Sequence, residues 1–312
     1  MTEEKAGAGQ CFLPAINNDI TYHPLEYIRY CERSYEATLN GIARKLGKGE
    51  GRKILLLAGP SSSGKTTSAN KLSRLIRLHG RRCYVVHMDD FYRNRDEAPL
   101  GPDGKPDFEC PESLHLGLLK ATIASLEEDG RAMLPQFDFT TGQRQDYVRK
   151  IHLHKGDVVI IEGLHALNPV LTDGIGTKNL YKSFVSVESA ICDGEGELFL
   201  GPRDVRILRR MIRDYNYRNS SVENTLSMWP DVLRGEELYL FPYREAADFS
   251  IDSLHPYEIG VYKNYAEPLL TELPEGPFHE QAVQIRKKFE QIEPVDPFLV
   301  PRLSLLQEFI KR

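Results

Sequence analysis

The sequence predicts an α/β fold in which a doubly wound parallel sheet carries helices on both faces. Apolar runs of strand length lie within Lys53–Ala58 and at 158–161. Segments with helical spacing of their apolar residues separate these runs, and a turn rich in glycine and serine connects the first run to the next helix. Continuous apolar strands that alternate with helices are typical of parallel sheets covered on both faces.

The other elements follow from the same periodicities, taken in chain order. Apolar residues recur at near-helical spacing over Pro24–Leu46, where Gly47 closes the helix, and Gly80 ends the helix after the glycine-rich turn. The remaining predictions are a poorly ordered arm at 1–20, a strand at Cys83–His87, a helix at 112–126, an extended piece at 135–139, strands at 158–161, 184–187 and near 248–251, a helix at 202–213, and an amphipathic helical tail from 278 interrupted by Pro294, Pro297 and Pro301.

The composition is that of an ordinary globular enzyme and excludes several classes of protein. The 312 residues carry a net charge of −5, which argues against a protein that coats nucleic acid or an anionic membrane. The five cysteines are scattered without metal-ligand spacing, and residues 1–10 lack the features of a signal peptide. We therefore expect free thiols, no structural zinc, no nucleic-acid or membrane partner, and a cytoplasmic location.

The strongest motif is GPSSSGKT at 59–66, which fits the phosphate-binding pattern G-x-x-x-x-G-K-[ST] at every fixed position. Backbone N–H groups of such a loop curl around nucleotide phosphates, while Lys65 neutralises the β- and γ-oxygens and the Thr66 hydroxyl ligates Mg²⁺. The residues assigned to nucleotide binding here are Gly59, Ser61, Ser62, Ser63, Gly64, Lys65, Thr66 and Thr67. The sequence contains neither the N-K-x-D motif that reads guanine nor the LSGGQ-like signature of transporter ATPases. The motif therefore predicts a P-loop NTPase-type sheet and favours a small-molecule kinase.

Acidic residues follow two of the predicted strands, at the edge where ligands bind in a doubly wound sheet. Asp89 and Asp90 come after strand Cys83–His87, and Glu162 ends the second apolar run. A carboxylate after the strand Cys83–His87 can accept the proton of an attacking hydroxyl. A carboxylate at the end of the second apolar run can help to hold Mg²⁺. Two adjacent aspartates cannot both be the base, so one of them is a partner of Mg²⁺ or water, or has a structural role.

Arginines recur along one face of the helix predicted at 202–213. Arg206, Arg209, Arg210 and Arg213 fall at i, i+3, i+4 and i+7. Two interpretations stay open: a solvated or salt-bridged face, or a kinase lid that closes arginines over phosphoryl charge. Arg218 extends the cluster into a polar segment that can move.

These motifs together resemble the uridine kinase/phosphoribulokinase family of P-loop kinases. AGPSSSGKTT, DDFYRNRD, DFECPESL, PQFDFTTGQR, VVIIEGLHALNP and RILRRMIRDYNYR occur in family order and span roughly residues 50–270. The stretch that begins SVENTLSM is similar to a bacterial branch labelled nucleoside kinase or uridine kinase-like. The resemblance implies a parallel five-stranded core, a mobile helical lid, ATP and Mg²⁺, and transfer of the γ-phosphate to a hydroxyl.

The resemblance also implies roles for individual residues. Asp89 becomes the catalytic base near a 5′-hydroxyl, Lys65 and Arg213 stabilise charge in catalysis, and Arg218 adds a phosphate contact. The acid that contacts ribose falls on Glu109. The residues assigned to the acceptor substrate are Asp89, Tyr92, Glu109, Phe137, Arg144 and Arg210. Those assigned to the metal are Thr66 and Glu162.

Three positions depart from the pyrimidine-reading kinases of that family. Phe137 and Gly142 stand where those kinases place a Tyr and a His against the base, and Ser220 replaces a lid arginine. Phe137 can stack on a base but cannot hydrogen-bond its edge, so Arg144 beside Gln143 is the candidate to read another feature of the acceptor. Nucleoside 5′-phosphorylation is the favoured reaction. The alternatives are a kinase of a sugar, sugar phosphate or other polyol, and an ATP-binding regulatory module with little turnover.

The expected organisation is one kinase core with additions at both ends. The N-terminal helical extension covers 1–50, the core covers 51–272 with a lid at about 203–245, and the helical tail covers 273–312. The expected partners are ATP and a small-molecule substrate. A homo-oligomer stays open, because dimers and tetramers occur in the family.

Overall fold

The computed structural model of the chain describes residues 9–101, 104–176 and 178–311. The strands are Gln10–Phe12 (β1), Lys53–Ala58 (β2), Cys83–His87 (β3), Arg131–Asp138 (β4), Gln143–His152 (β5), Val158–Glu162 (β6), Leu180–Ser186 (β7), Ala190–Cys192 (β8), Leu198–Leu200 (β9) and Phe249–Asp252 (β10). The helices are Leu13–Tyr22 (α1), Pro24–Leu46 (α2), Lys65–Leu78 (α3), Leu116–Glu128 (α4), Pro202–Arg218 (α5), Val222–Tyr239 (α6), Glu258–Thr271 (α7) and His279–Glu290 (α8).

Five parallel strands form the central sheet, in the order β10-β7-β2-β6-β3. Both β2 and β6 lie inside the sheet with every residue buried, which explains why their sequences are almost continuously apolar. Alternate residues of β2 point to opposite faces, where Leu55 and Leu57 join one core and Ile54 and Leu56 another. The first core includes residues of α2, α3, α5 and α7, and the second includes residues of α4 and the β4–β5 hairpin. The predicted doubly wound α/β fold is therefore confirmed.

The sheet order places three separate motifs at one edge. The strands β2, β6 and β3 are neighbours and run in the same direction, so their carboxyl ends lie side by side. Gly59 follows β2, Glu162 ends β6, and Asp89 lies in the 3-10 turn Met88–Phe91 directly after β3. The topology therefore places the phosphate loop and both acidic motifs at the same edge of the sheet.

The prediction of a poorly ordered arm over 1–20 is wrong for residues 9–20, while residues 1–8 lie outside the described residues. Strand β1 pairs in parallel with β8, and α1 follows at once. Leu13, Ile16 and Ile20 repeat at i, i+3 and i+7 and are all buried. This single apolar stripe was the overlooked signal of a short amphipathic helix.

Several element boundaries also differ from the sequence prediction. The extended piece at 135–139 belongs to an antiparallel hairpin, β4–β5. The helix expected at 112–126 begins only at Leu116, after a 3-10 turn, where the His115 side chain accepts from the Leu118 N–H at 3.1 Å. Helix α5 runs on to Arg218 and ends at Asn219 in the left-handed conformation. Helix α6 and helix α7 were not predicted.

Among the described residues, no helix combines the length and the apolar character needed to cross a bilayer.

Candidate active site

The loop between β2 and α3 has a backbone that only small residues permit. Gly64 adopts φ +84°, and Ser62 adopts φ +59°. A Cβ atom on Gly59 would lie 2.0 Å from the Val185 carbonyl oxygen. Helix α3 begins directly after the loop, and the first N–H groups of a helix have no partner inside it. The loop and the helix end together form a concave set of donors of the kind that binds phosphate.

The polar groups of this loop fit a nucleotide phosphate chain. The hydroxyls of Ser62 and Ser63 are buried and have no hydrogen-bond partner among the described residues. Buried polar atoms normally have a partner, so these two hydroxyls are available to the oxygens of a phosphate group. Lys65 Nζ donates to the Pro60 carbonyl oxygen at 2.9 Å. Burial lowers the pKa of Lys65, and the carboxylates of Glu162 and Asp89 oppose that shift.

A hydroxyl and a carboxylate meet at the ends of α3 and β6. Thr66 Oγ1 donates to Glu162 Oε1 at 3.1 Å, and His87 Nδ1 lies 2.7 Å from the same oxygen. The hydrogen bond to Glu162 raises the pKa of His87. Over the described part of the chain no group of three or more His, Cys, Asp and Glu side chains is arranged for a metal. Two hard oxygen ligands suit Mg²⁺, which usually keeps several waters and binds substrate phosphates as well.

Asp89 and Asp90 occupy different surroundings. Asp89 is exposed to solvent, but it lies in a cleft whose walls displace much of the surrounding water, and this desolvation raises its pKa. Glu162 adds to the rise, and Lys65 and Arg218 oppose it. Asp90 accepts instead from the Phe137 N–H at 3.5 Å and so holds the β4–β5 hairpin. Of the two aspartates, Asp89 is therefore the one whose charge is coupled to the phosphate loop.

Two arginines of the predicted stripe are buried structural groups. Arg206 makes a double ion pair with Glu236, at 2.7 and 2.8 Å, and donates to the Ser61 carbonyl oxygen at 3.2 Å. Arg209 pairs in the same way with Glu258, at 2.8 Å for both bonds, and donates to the Ser62 carbonyl oxygen at 3.3 Å.

Glu236 also accepts from the Ser61 N–H at 2.7 Å. The salt-bridge interpretation thus holds for Arg206 and Arg209, which fasten the phosphate loop to α5.

The other three arginines converge on a single carboxylate. Arg213 lies 2.8 Å from Asp214, Arg210 3.4 Å and Arg218 3.5 Å. Arg210 also donates to Ser61 Oγ at 2.7 Å. One acid cannot neutralise three guanidinium groups, so a positive charge remains beside the loop. This local excess suits a second anion, such as a phosphate group.

An aromatic wall lies beside Asp89. The ring centroids of Tyr92 and Phe137 are 5.7 Å apart, and Phe139 lies 5.1 Å from Phe137. Arg144 supports this wall, because its guanidinium donates to the Tyr92 carbonyl oxygen at 3.0 Å and to Asp146 at 2.7 Å. The Arg144 guanidinium is thus hydrogen-bonded within the protein, whereas the aromatic rings of the wall can pack against a ligand.

Gly142 occupies a place with no room for a side chain. Its φ is +71°, its N–H donates to the Asp138 carbonyl oxygen at 2.7 Å, and a Cβ there would lie 2.9 Å from Arg95 Cβ. The absence of a histidine at this position therefore follows from how the hairpin turn packs.

Glu109 lies half-buried between α5 and α6. A Cβ on Gly235 of α6 would lie 2.5 Å from Glu109 Cβ, so the glycine makes room for this residue. Desolvation raises the pKa of Glu109 to about 7, although Arg210 opposes the rise. His165, which the Glu109 backbone contacts, is buried, and burial lowers its pKa to about 4. A neutral histidine therefore stands behind a carboxyl group that titrates near neutral pH.

Sequence reasoning missed four acids and one histidine that shape this site: Asp214, Glu236, Glu258, Glu308, whose carboxylate accepts from Thr67 Oγ1 at 2.6 Å, and His87. Asp214 directly follows Arg213, so an alternation of charge within α5 was a usable signal. His87 ends β3 two residues before Asp89, at the edge where ligands bind. The distant glutamates carry no local pattern, since only the folded chain brings α6, α7 and the tail to the loop.

Part of the chain matches a known family and its named relatives. A family model described as Phosphoribulokinase / Uridine kinase family matches residues 54–172, which include the loop, Asp89 and Glu162. A uridine kinase from Lactobacillus helveticus (strain DPC 4571) is 27% identical over 184 residues, 59% of this chain and 78% of that protein. A uridine kinase from Macrococcus caseolyticus (strain JCSC5402) is 26% identical over 200 residues, 64% and 86% of the two chains.

A solved structure shares the fold. The putative fructose transport system kinase from Silicibacter sp. TM1040 superposes with a TM-score of 0.52 at 20% identity, covering 68% of this chain and 98% of that one. The family match falls on the segment that carries the phosphate loop and the acids, and the shared architecture extends beyond it. Over residues 54–172 the chain is therefore similar to the phosphoribulokinase/uridine kinase family of P-loop kinases.

Proposed function

We propose that this kinase uses ATP and Mg²⁺ to phosphorylate a hydroxyl group of a small molecule, and that the preferred acceptor is the 5′-hydroxyl of a nucleoside. The observation that carries the proposal is the meeting of Lys65, Thr66, Asp89 and Glu162 at one edge of the sheet, where Thr66 Oγ1 lies 3.1 Å from Glu162. Curated relatives named uridine kinase support the choice of acceptor.

Each of these residues has a defined task in the proposed reaction. Asp89 accepts the proton from the acceptor hydroxyl while that oxygen forms a bond to the γ-phosphorus and the bond to ADP breaks. A raised pKa brings a carboxylate closer to the working pH and makes it a better base. Lys65 and Arg213 stabilise the charge on the transferring oxygens. Mg²⁺ near Thr66 and Glu162 would neutralise charge on the phosphate chain.

A second acceptor class has its own supporting observation. Phe137 has no hydrogen-bonding group in its side chain, Gly142 has no side chain, and Arg144 is bound to Tyr92 and Asp146. None of these three residues therefore reads a base edge by hydrogen bonds. This arrangement favours a sugar, sugar phosphate or other polyol as the alternative acceptor.

A screen of acceptors decides between these proposals. ADP formation is measured with ATP, Mg²⁺ and one acceptor at a time, drawn from nucleosides, sugars and sugar phosphates, with the Lys65→Ala variant as background. We expect nucleosides to stimulate ADP formation above that background. Stimulation by sugars alone would support the second class, and no stimulation by any acceptor would support an ATP-binding regulatory module.

We also propose that the protein works in the cytoplasm. The five cysteines are unpaired thiols, four of them buried, and such thiols persist in a reducing compartment.

A further inference from the structure

The segment after α8 returns to the phosphate loop and covers it. Leu305, Leu306, Phe309 and Ile310 are at most 1% exposed, so this segment, 304–311, is firmly packed against the body of the protein. We call it the C-terminal latch. A Cβ placed on Gly64 would lie 2.5 Å from Leu305 Cδ1, which shows how closely the latch approaches the last glycine of the loop.

One charged side chain of the latch reaches the donors at the start of α3. Glu308 Oε2 accepts from Thr67 Oγ1 at 2.6 Å and from the Thr67 N–H at 3.3 Å. Thr67 is the third residue of α3, so its N–H has no partner inside the helix. In a phosphate-binding loop, N–H groups in this region donate to the nucleotide phosphates. A carboxylate of the chain itself therefore binds where an anionic ligand would bind.

The same segment also holds the helix that carries the arginine cluster. Asn216 Nδ2 of α5 donates to the Phe309 carbonyl oxygen at 3.0 Å, and the Tyr217 hydroxyl donates to the Ile310 carbonyl oxygen. Arg209 lies over the Phe309 ring at 5.3 Å. The latch thus bridges the start of α3 and the end of α5, next to Arg213 and Arg218.

We propose that the C-terminal latch is an autoinhibitory element in which Glu308 imitates a phosphate of the donor nucleotide at Thr67. The inference rests on the proposed function, since it takes the loop as the donor site. Nucleotide binding displaces Glu308 from Thr67, and the latch loosens from α5 as a result. The carboxylate lowers the affinity for the donor because two negative groups compete for one set of donors.

Two variants of Glu308 separate its charge from its hydrogen bonds. Glu308→Gln keeps the size of the side chain but removes the charge, and Glu308→Ala removes both. Gln307→Ala is the matched control, because Gln307 lies in the same turn and donates to the Pro301 carbonyl oxygen at 3.1 Å. Titration of each protein with ATP and Mg²⁺ by calorimetry gives the affinity without requiring turnover.

We expect Glu308→Gln and Glu308→Ala to bind ATP about tenfold more tightly than the parent, and Gln307→Ala to bind like the parent. Amide exchange of the parent adds a second readout: residues 306–310 should exchange faster when a non-hydrolysable ATP analogue is bound. Equal or weaker ATP binding by both Glu308 variants, or slower exchange of the latch with the analogue, overturns the latch and leaves the proposed function intact. Absence of ATP binding in all four proteins overturns the proposed function and the latch with it.

Discussion

At the scale of single residues, the site depends on carboxyl groups whose surroundings differ. Asp89 and Glu109 both have raised pKa values because protein groups displace water around them. Asp89 is coupled to Lys65 across the phosphate loop, whereas Glu109 is coupled to Arg210 of α5. The same side-chain chemistry therefore supplies a proposed base in one place and a proposed acceptor contact in the other.

The titration of Glu109 leads to a prediction about stability. Its pKa is 4.5 in the unfolded reference and about 7 in the folded protein. The folded state therefore holds the proton more strongly, so the free energy of unfolding falls as the pH rises from about 4.5 to about 7. In Glu109→Gln this loss is absent, and we expect the variant to gain stability relative to the parent between pH 5 and pH 8. Urea denaturation at several pH values measures the difference.

Glu112→Gln is the control for that experiment, since Glu112 is an exposed glutamate three residues further on. Because this side chain is exposed, its replacement should change the free energy of unfolding little. Parallel pH curves for the parent and Glu109→Gln would show that Glu109 does not titrate near neutral pH.

A substitution of Arg213 tests whether the arginine cluster contributes to catalysis. We expect Arg213→Ala to lower kcat by about a hundredfold or more, because a positive group beside the transferring phosphoryl charge is lost. The KM for ATP should change less, since Lys65 and the loop remain. Steady-state kinetics and a melting curve measure both effects, with Arg203→Ala, in the first turn of the same helix, as the control. A lower melting temperature with unchanged kcat would mean that Arg213 only holds Asp214.

At the scale of elements, α5 and α6 hold the phosphate loop in place. The buried pair Arg206–Glu236 and the bond from the Ser61 N–H to Glu236 connect both helices to one turn of the loop. Loss of one partner leaves an unpaired buried charge, so we expect Glu236→Ala to lower the free energy of unfolding by about 3–5 kcal/mol. Chemical denaturation with urea tests this value.

The neighbouring pair offers a matched control for the buried one. Glu237 pairs with Arg203 between the same two helices, but its side chain is 55% exposed. Glu237→Ala should therefore cost only about 0–1 kcal/mol. Equal losses for the two variants would contradict a special role for the buried pair.

The sequence predicts these elements only where their patterns are local. Strands β2 and β6 were recognisable because both of their faces are buried and their sequences are apolar throughout. Helix α6 was not recognised, since it contains Pro230 and mixes buried polar groups such as Thr225 and Glu236 with apolar ones. Its apolar residues do not form a clear stripe in the sequence. A buried glutamate at position 236 could not be predicted without knowing its partner, Arg206.

At the scale of the whole molecule, one edge of the sheet brings together segments that the chain keeps far apart. The loop motif, Asp89 and Glu162 were predictable, because each follows a recognisable strand and parallel strands end at the same edge. The contacts from Glu236, Glu258 and Glu308 were not, since each comes from an element whose position depends on the complete fold. The division into an N-terminal extension, a core and a tail stays a prediction, although residues of α1, α2 and the latch share a core with α3.

The central claim is that Asp89 accepts the proton of the acceptor hydroxyl at the phosphate loop. Single-turnover transfer of labelled γ-phosphate to the acceptor identified in the screen tests it, with the parent, Asp89→Asn and Asp90→Asn compared. We expect Asp89→Asn to lose transfer by a factor of about 10²–10⁴ while it binds ATP like the parent, and Asp90→Asn to stay within about tenfold of the parent. Transfer by Asp89→Asn at the rate of the parent would contradict the claim.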